Sequence, residues 1–395
     1  MEKQTNPITV FIIDQNVLMR RVLANILHKE RRVFISYSSD KANYGTVISR
    51  MENKKPALLF LGVDELDSNE MTLFYKLRDR HPDLPIVLMT QLNKKGAAVA
   101  IEGLKYGAID YVTKPENSFG LLFAERHFHK RVMPLLKTIS GLNHKYRVDG
   151  EKDKTERAVS KESFPNVGLM APDNIDLITI GGCLGGVSSL YKVISSLPKH
   201  LHVPVVIVQH MPGVYTKEFA ADLNKQSDLT VKEASNGCLP APGNVYIAPG
   251  GFHTVIKNDK GRKQLVLHKG PREHKCRPSI DVLYRSAVQE YGGNVLGILL
   301  SGMGNDGVLG ALAVLEHGGT LLLESKESAL VSELPRKVKI FNSEIKEMAA
   351  EFMPQEIADL LKQLSLQNVS DYKNAQVSIN PDYRTMSEPG VGMTM

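Results

Sequence analysis

Short, largely apolar segments recur along this chain, separated by amphipathic stretches, and they constrain its fold more than any other feature. In the first 115 residues they are ITVFII (8–13), RVFISY (32–37), ALLFLGV (57–63), PIVLMT (85–90) and AIDYVT (108–113). A half-buried strand alternates apolar and polar residues; a strand apolar throughout is covered on both faces, as in a parallel sheet flanked by helices. The stretches between supply those helices. VLMRRVLANIL (17–27) places Leu18, Val22 and Ile26 at i, i+4 and i+8, and AVAIEGLKYG (98–107) ends in Gly107, a C-cap signal. Five βα repeats predict a doubly wound α/β domain. Ligands of such sheets sit at the carboxyl ends of the strands, which here carry Asp14, Gly62, Thr90 and Lys114.

A second α/β pattern starts at NIDLITIGG (174–182) and continues through VPVVIVQH (203–210), NVYIAPG (244–250), NVLGILLSG (294–302) and GTLLLES (319–325). HTVIK (253–257) and QLVLH (264–268) bracket NDKG, a turn signal, and predict a β-hairpin. EFMPQEIADLLKQL (351–364) reads as a closing helix. The expected organisation is a domain over 1–135, a linker of mixed charge over 136–173, a second α/β domain over 174–365 and a disordered tail over 366–395.

Composition excludes several classes. Lys+Arg 49 against Asp+Glu 43 leaves +6, well short of the footprint of a dedicated nucleic-acid binder, and no helix-turn-helix pattern follows the linker. No apolar run approaches the ~20 residues of a membrane span, and MEKQTNPITVFIID lacks a signal-peptide layout, so the expected location is cytoplasmic, with no membrane insertion. Three scattered cysteines, Cys183, Cys238 and Cys276, are too few for a disulfide framework or a zinc site, and no cofactor or metal is expected.

ITIGGCLGG is the sharpest local signal. A strand runs into Gly181-Gly182-Cys183-Leu184-Gly185 and then a helix, the layout of a nucleophile elbow with Cys in the Ser position. The helix start offers unpaired N–H groups that stabilise a thiolate and a nearby oxyanion. His210 ends the next strand, and Asp306, in SGMGNDG, follows a later one. Cys183, His210 and Asp306 are thus nucleophile, base and orienting carboxylate on one rim. Backbone N–H groups at Leu184 and Met303 are candidate oxyanion donors. Arg277, in CRPSIDVLYRSA, is a candidate for orienting an anionic substrate. Singly, each has a plainer reading: a tight glycine turn, a packed histidine, a turn aspartate, a surface arginine. Their coincidence on one rim favours function. His253 and His274 show no partners in the sequence and read as surface residues.

Together, IGGCLGG, VPVVIVQHMP, NVYIAPGGFH, CRPSIDVLY and GILLSGMGNDG resemble the CheB-type chemotaxis protein-glutamate methylesterases, and DQNVLMRR and YGAIDYVTKP resemble that family's receiver domain. The resemblance implies a flavodoxin-like receiver with a five-stranded parallel sheet, then a doubly wound methylesterase domain. It implies hydrolysis of glutamyl methyl esters on methyl-accepting chemoreceptors, with release of methanol, and deamidation of receptor glutamines. A chemotaxis histidine kinase is an implied partner of the receiver. The family triad is Ser, His and Asp; His210 and Asp306 match it, Cys183 replaces the serine, and Leu184 stands where Thr is frequent.

The receiver departs further. Its acceptor position falls on Gly62, which has no nucleophile, and the acidic pair after the first strand is reduced to Asp14 beside Gln15. Thr90 and Lys114 match the phosphate-sensing positions. Asp64, two residues past Gly62, reads as a loop residue. The expectation is a pseudo-receiver without a phosphorylation site. Two functions follow: a Cys-His-Asp hydrolase, or a weak or inactive paralogue that binds receptors or partners through the old substrate groove.

Overall fold

The computed structural model describes residues 7–115 and 174–364, together with most of 125–136. Apart from Leu136 the expected linker, and the whole of the expected tail, lie outside the described residues.

The first sheet is built from β1 (Ile8–Ile13), β2 (Val33–Ser39), β3 (Leu58–Gly62), β4 (Ile86–Gln91) and β5 (Asp110–Lys114), in the order β2-β1-β3-β4-β5. Every pairing is parallel. Successive side chains of a strand face opposite ways, and here both sets are covered. Val10, Ile12, Leu58, Phe60, Val87 and Met89 enter one core, while Phe11, Ile13, Leu59, Leu61, Ile86 and Leu88 enter another. Each such side chain contributes about 1.5–3 kcal/mol on leaving water, which is why these strands read as continuous apolar runs. The edge strand β2 is only half-buried. On the helix Val17–His28 the buried stripe is Met19, Val22, Leu23, Ile26 and Leu27, with Leu18 at its margin. Asn16 caps that helix by accepting from the N–H groups of Leu18 and Met19.

The second sheet has seven strands, all parallel: β6 (Leu177–Gly182), β7 (Val205–Gln209), β8 (Thr230–Glu233), β9 (Asn244–Ile247), β12 (Val295–Leu299), β13 (Thr320–Glu324) and β14 (Lys346–Met348). Their order is β14-β13-β12-β6-β7-β9-β8. The edge strands β8 and β14 escape the sequence pattern because they are short and half-exposed. The hairpin forms as expected from β10 (His253–Asp259) and β11 (Arg262–His268). Its turn residues Lys260 (φ 51) and Gly261 (φ 85) both lie in the left-handed region, which suits the twist of a tight hairpin.

The two sheets are joined through the helices Lys94–Lys105 and Gly213–Asn224. Lys105 pairs with Asp222 at 3.2 Å, and Lys94 with Glu218 at 3.8 Å. Between them Tyr215 stacks on Tyr111 at a centroid distance of 4.7 Å. Its hydroxyl donates to the Gln91 carbonyl at 2.7 Å and lies 2.9 Å from Thr90 Oγ1.

Candidate active site

Sheet order brings the candidate residues together. β12, β6 and β7 are neighbours, so the loops after their carboxyl ends converge on one rim. Cys183 follows β6, His210 follows β7, and Asp306 lies on the loop after β12.

The glycines around Cys183 serve close approach. A Cβ on Gly181 would lie 2.5 Å from Ile280 Cγ2, and Cβ atoms on Gly182 and Gly186 would lie 2.4 and 2.6 Å from Gln209 Oε1. Gly185 takes φ 79 to open the helix Gly186–Ile194. The elbow is pinned by Cys183 N–H donating to Ser301 O at 3.1 Å and by Gln209 Nε2 donating to Cys183 O at 2.7 Å. Behind it lies buried Glu324, which accepts from Ser189 Oγ at 2.8 Å and from Ser301 N–H at 2.7 Å.

His210 Nε2 lies 2.7 Å from Asp306 Oδ2. The carboxylate also accepts from Ser279 Oγ at 2.6 Å, Ile280 N–H at 2.9 Å and Asp281 N–H at 3.2 Å. The last two are the first amides of the helix Ile280–Tyr291, whose positive dipole end thus faces an anion. A carboxylate with these acceptor contacts keeps Nε2 protonated and leaves Nδ1 as the proton-transfer nitrogen. Asp281 Oδ1 in turn accepts from Gly307 N–H at 2.9 Å and Gly310 N–H at 2.6 Å, bracing the loop that carries Asp306.

The charges are mutually dependent. Burial pushes the Cys183 thiol up. The charge of His210, a hydrogen bond to its ring and the N–H groups of Met303 and Leu184 outweigh burial, so the thiol lies below its ordinary value. Burial pushes His210 down, but Cys183, Asp306 and Cys276 together hold it well above its ordinary value. Burial likewise pushes Asp306 up, and His210, Ser279 and Ile280 N–H outweigh it to bring the carboxyl below its usual range. The arrangement favours a thiolate–imidazolium pair with two backbone N–H groups beside the sulfur, which is the equipment for acyl transfer.

Other residues singled out from the sequence sit differently. Arg277 follows Cys276 on the rim, and its Nη1 donates to Lys269 O at 3.1 Å and Gly270 O at 2.9 Å. His253 is not a surface residue: it is 1% exposed, with Nε2 at 2.8 Å from Pro271 O, because the hairpin folds it against His268 beside a cavity of ≈ 340 Å³. His274 does have a partner, Asp281, at 3.3 Å, which a sequence separation of seven residues across a loop conceals. Ser279, Asp281, Gln209 and Glu324 were not identified as site residues. The first two lie in CRPSID, where a Ser before a helix and an Asp in its first turn signal an N-terminus. Gln209 adjoins His210, and Glu324 is a charge ending an apolar strand.

At the first sheet, Asp14 and Lys114 are buried and paired at 3.0 Å, and Lys114 also reaches Asp64 at 2.8 Å. Burial, opposed by Lys114, leaves the Asp14 carboxyl above its usual range. A Cβ on Gly62 would fall 2.0 Å from Asp14 Oδ2, so the Asp14 side chain fills the space an acceptor side chain would need. Thr90 is fully buried against Tyr215.

A CheB methylesterase family model matches residues 178–361, and a response regulator receiver domain model matches residues 10–123. The protein-glutamate methylesterase/protein-glutamine glutaminase of Thermotoga maritima is 31% identical over 332 residues, covering 84% of this chain and 92% of that protein. That of Treponema denticola is 32% identical over 346 residues, covering 83% and 91%. The crystal structure of the Thermotoga maritima CheB methylesterase catalytic domain aligns with 48% of this chain and 99% of its own, at 36% identity and a TM-score of 0.46. Relatives above 30% identity that run through both the receiver and the esterase regions identify the chain as a member of the CheB-type protein-glutamate methylesterase family.

Proposed function

We propose that this chain is a thiol-dependent protein-glutamate methylesterase and protein-glutamine deamidase acting on methyl-accepting chemoreceptors in the cytoplasm. The observation that carries the reading is the convergence on His210, with Asp306 at Nε2 and a hydrogen bond between the ring and Cys183, whose sulfur also meets the N–H groups of Met303 and Leu184. The Cys183 thiolate attacks the glutamyl carbonyl, and the tetrahedral oxyanion forms beside the Met303 and Leu184 amides. His210 gives its proton to the leaving ester oxygen or amide nitrogen, which departs as methanol or ammonia. It then takes a proton from the water that attacks the thioester, the C–S bond breaks, the receptor glutamate is released as a carboxylate, and the Cys183 thiolate is restored. Asp306 holds the imidazole in the tautomer this requires. Arg277, at the rim, is the residue we assign to orienting the acidic receptor segment.

The receiver acts without aspartyl phosphorylation, because Gly62 carries no nucleophile and Asp14 fills its place. A second reading, a binding regulator with little turnover, draws on the packing around the elbow. Phe128, Val132 and Leu135 share one apolar cluster with Leu184 and Val331, and Cys183 and Met303 pack against it. Methanol release from methylated receptor, measured beside Cys183→Ala and Cys183→Ser, separates the two. Release lost in Cys183→Ala establishes the thiol esterase. Absence of release from wild type, with an active family member as control, supports the regulator.

A further inference from the structure

The proposed hydrolysis leaves one reactive group beside the site unused. Cys276 Sγ lies 3.8 Å from His210 Nδ1 and 3.5 Å from His274 O, and its hydrogen bond to the ring helps raise the His210 pKa. Asp306 occupies Nε2, and Cys183 adjoins the same histidine, because the His210 backbone N–H donates to Gly182 O at 3.2 Å and the ring is hydrogen-bonded to Cys183 as well as to Cys276. Both are free and half-buried. They differ in backbone setting. Cys183 is held in the elbow by backbone bonds to Ser301 and Gln209. Cys276 sits in a loop outside any strand or helix, next to His274 (φ 47) and Lys275 (φ 65).

We propose that Cys183 and Cys276 form a peroxide-responsive pair, in which Cys183 is the oxidised thiolate and Cys276 the resolving cysteine. The proposal shares its thiolate with the hydrolase reading but does not require turnover. The Cys183 sulfur attacks one oxygen of a hydroperoxide. An S–O bond forms, the O–O bond breaks, the peroxide takes two electrons and its departing hydroxide or alkoxide takes the proton of the His210 imidazolium to leave as water or an alcohol, so that Cys183 becomes a sulfenic acid and His210 is neutral. The Cys276 thiol passes its proton to His210 and attacks that sulfur. An S–S bond forms, the S–O bond breaks, and the departing hydroxide takes the proton from His210 as water. A dithiol reverses the step by thiol–disulfide exchange. A serine at position 183 has no such chemistry, so the modification site exists only because the elbow carries sulfur.

The test uses hydrogen peroxide on the purified full-length chain, followed by alkylation, digestion without reductant and mass spectrometry. The expected product is a Cys183–Cys276 linked peptide, reversed by dithiothreitol. Cys238, whose backbone pairs with Leu265 beside the hairpin, remains alkylated. In Cys276→Ser the linked peptide is lost and Cys183 is trapped by dimedone as the sulfenic acid. A wild-type chain that gives the dimedone adduct on Cys183 with Cys276 still free overturns the proposal. So does a chain in which neither cysteine reacts, or one in which Cys238 is the linked partner. Methanol release assayed on the same unoxidised sample keeps failure of the esterase reading distinguishable from failure of this one.

Discussion

Replacing Asp306 by Asn tests the electrostatic coupling of the site more sharply than deleting it, because the contacts dictate which way the amide turns. If the amide nitrogen took the Oδ2 position it would face Ile280 N–H at 2.9 Å and His210 Nε2 at 2.7 Å. The backbone donor there cannot turn away, and the ring would have to surrender its Nε2 proton. If it took the Oδ1 position it would face the Ser279 hydroxyl, which rotates, and Asp281 N–H at the longer distance of 3.2 Å. The second orientation therefore wins, and the remaining oxygen still accepts from His210. What is lost is the charge. A hydrogen bond to a charged group is worth about 1.5–3 kcal/mol, against about 0.5–1.5 kcal/mol for a neutral one. The difference, about 1–2 kcal/mol, lowers the thiolate–imidazolium population roughly 5- to 30-fold. The assay is iodoacetamide alkylation of Cys183 across the pH range, read per cysteine by mass spectrometry with Cys238 as reference. The expected result is a 5- to 30-fold slower reaction near neutrality, by the same arithmetic, with the rise in rate displaced to higher pH. An unchanged profile would refute the coupling. A loss of roughly 10³-fold or more would mean that the amide had turned the other way and reversed the tautomer.

Three further perturbations follow from the contacts. Gly62→Ala places a methyl 2.0 Å from Asp14 Oδ2 and should destabilise the chain by about 1–3 kcal/mol in urea unfolding; in an Asp14→Ala background that penalty should largely vanish, and equal penalties in both would refute the filled-site reading. Tyr215→Phe leaves the Gln91 carbonyl and Thr90 hydroxyl without their partner and should cost about 1–3 kcal/mol, with faster hydrogen exchange in the helices Lys94–Lys105 and Gly213–Asn224; unchanged exchange would show that the contact does not hold the domains together. Burial pushes the Asp281 carboxyl up to about 6, so its ionisation opposes folding: the favourable protonated state is intact at low pH, and stability is withdrawn as pH rises through about 6. Asp281→Asn should therefore match wild type near the acid end of that window and exceed it above by up to about 2–3 kcal/mol, and a variant less stable than wild type at pH 8 would contradict the sign.

The fold was largely legible because its strands are buried on both faces, and such strands leave continuous apolar runs. Only β8 and β14 escaped, since short edge strands carry no such run. At the candidate site the sequence could display residue types at strand ends, which is how Cys183, His210 and Asp306 were singled out. It could not display sheet order, and it is the adjacency of β12, β6 and β7 that puts those loops within reach of one another. It also could not show what each glycine accommodates: Gly181 and Gly182 suggest a phosphate loop as readily as an elbow until Ile280 and Gln209 are seen beside them. His253 was misread for a related reason. A lone histidine at the start of a hairpin strand carries no mark of the Pro271 carbonyl and His268 ring that enclose it.

The supports of Asp306 explain how such an elbow can accept a different nucleophile. Ser279 Oγ and the amides of Ile280 and Asp281 fix the carboxylate from the start of one buried helix. The carboxylate then sets the imidazole, and the ring in turn hydrogen-bonds Cys183. A change from oxygen to sulfur thus leaves the framework of hydrogen bonds in place and alters the last link. With a hydroxyl, the ring must remove a proton as the bond to carbon forms. With a thiol whose pKa is lowered and a histidine whose pKa is raised, the balance shifts toward that proton resting on the ring before substrate arrives. The framework that would orient a neutral base therefore favours an ion pair, and both the proposed hydrolysis and the proposed oxidation of Cys183 draw on that charge separation.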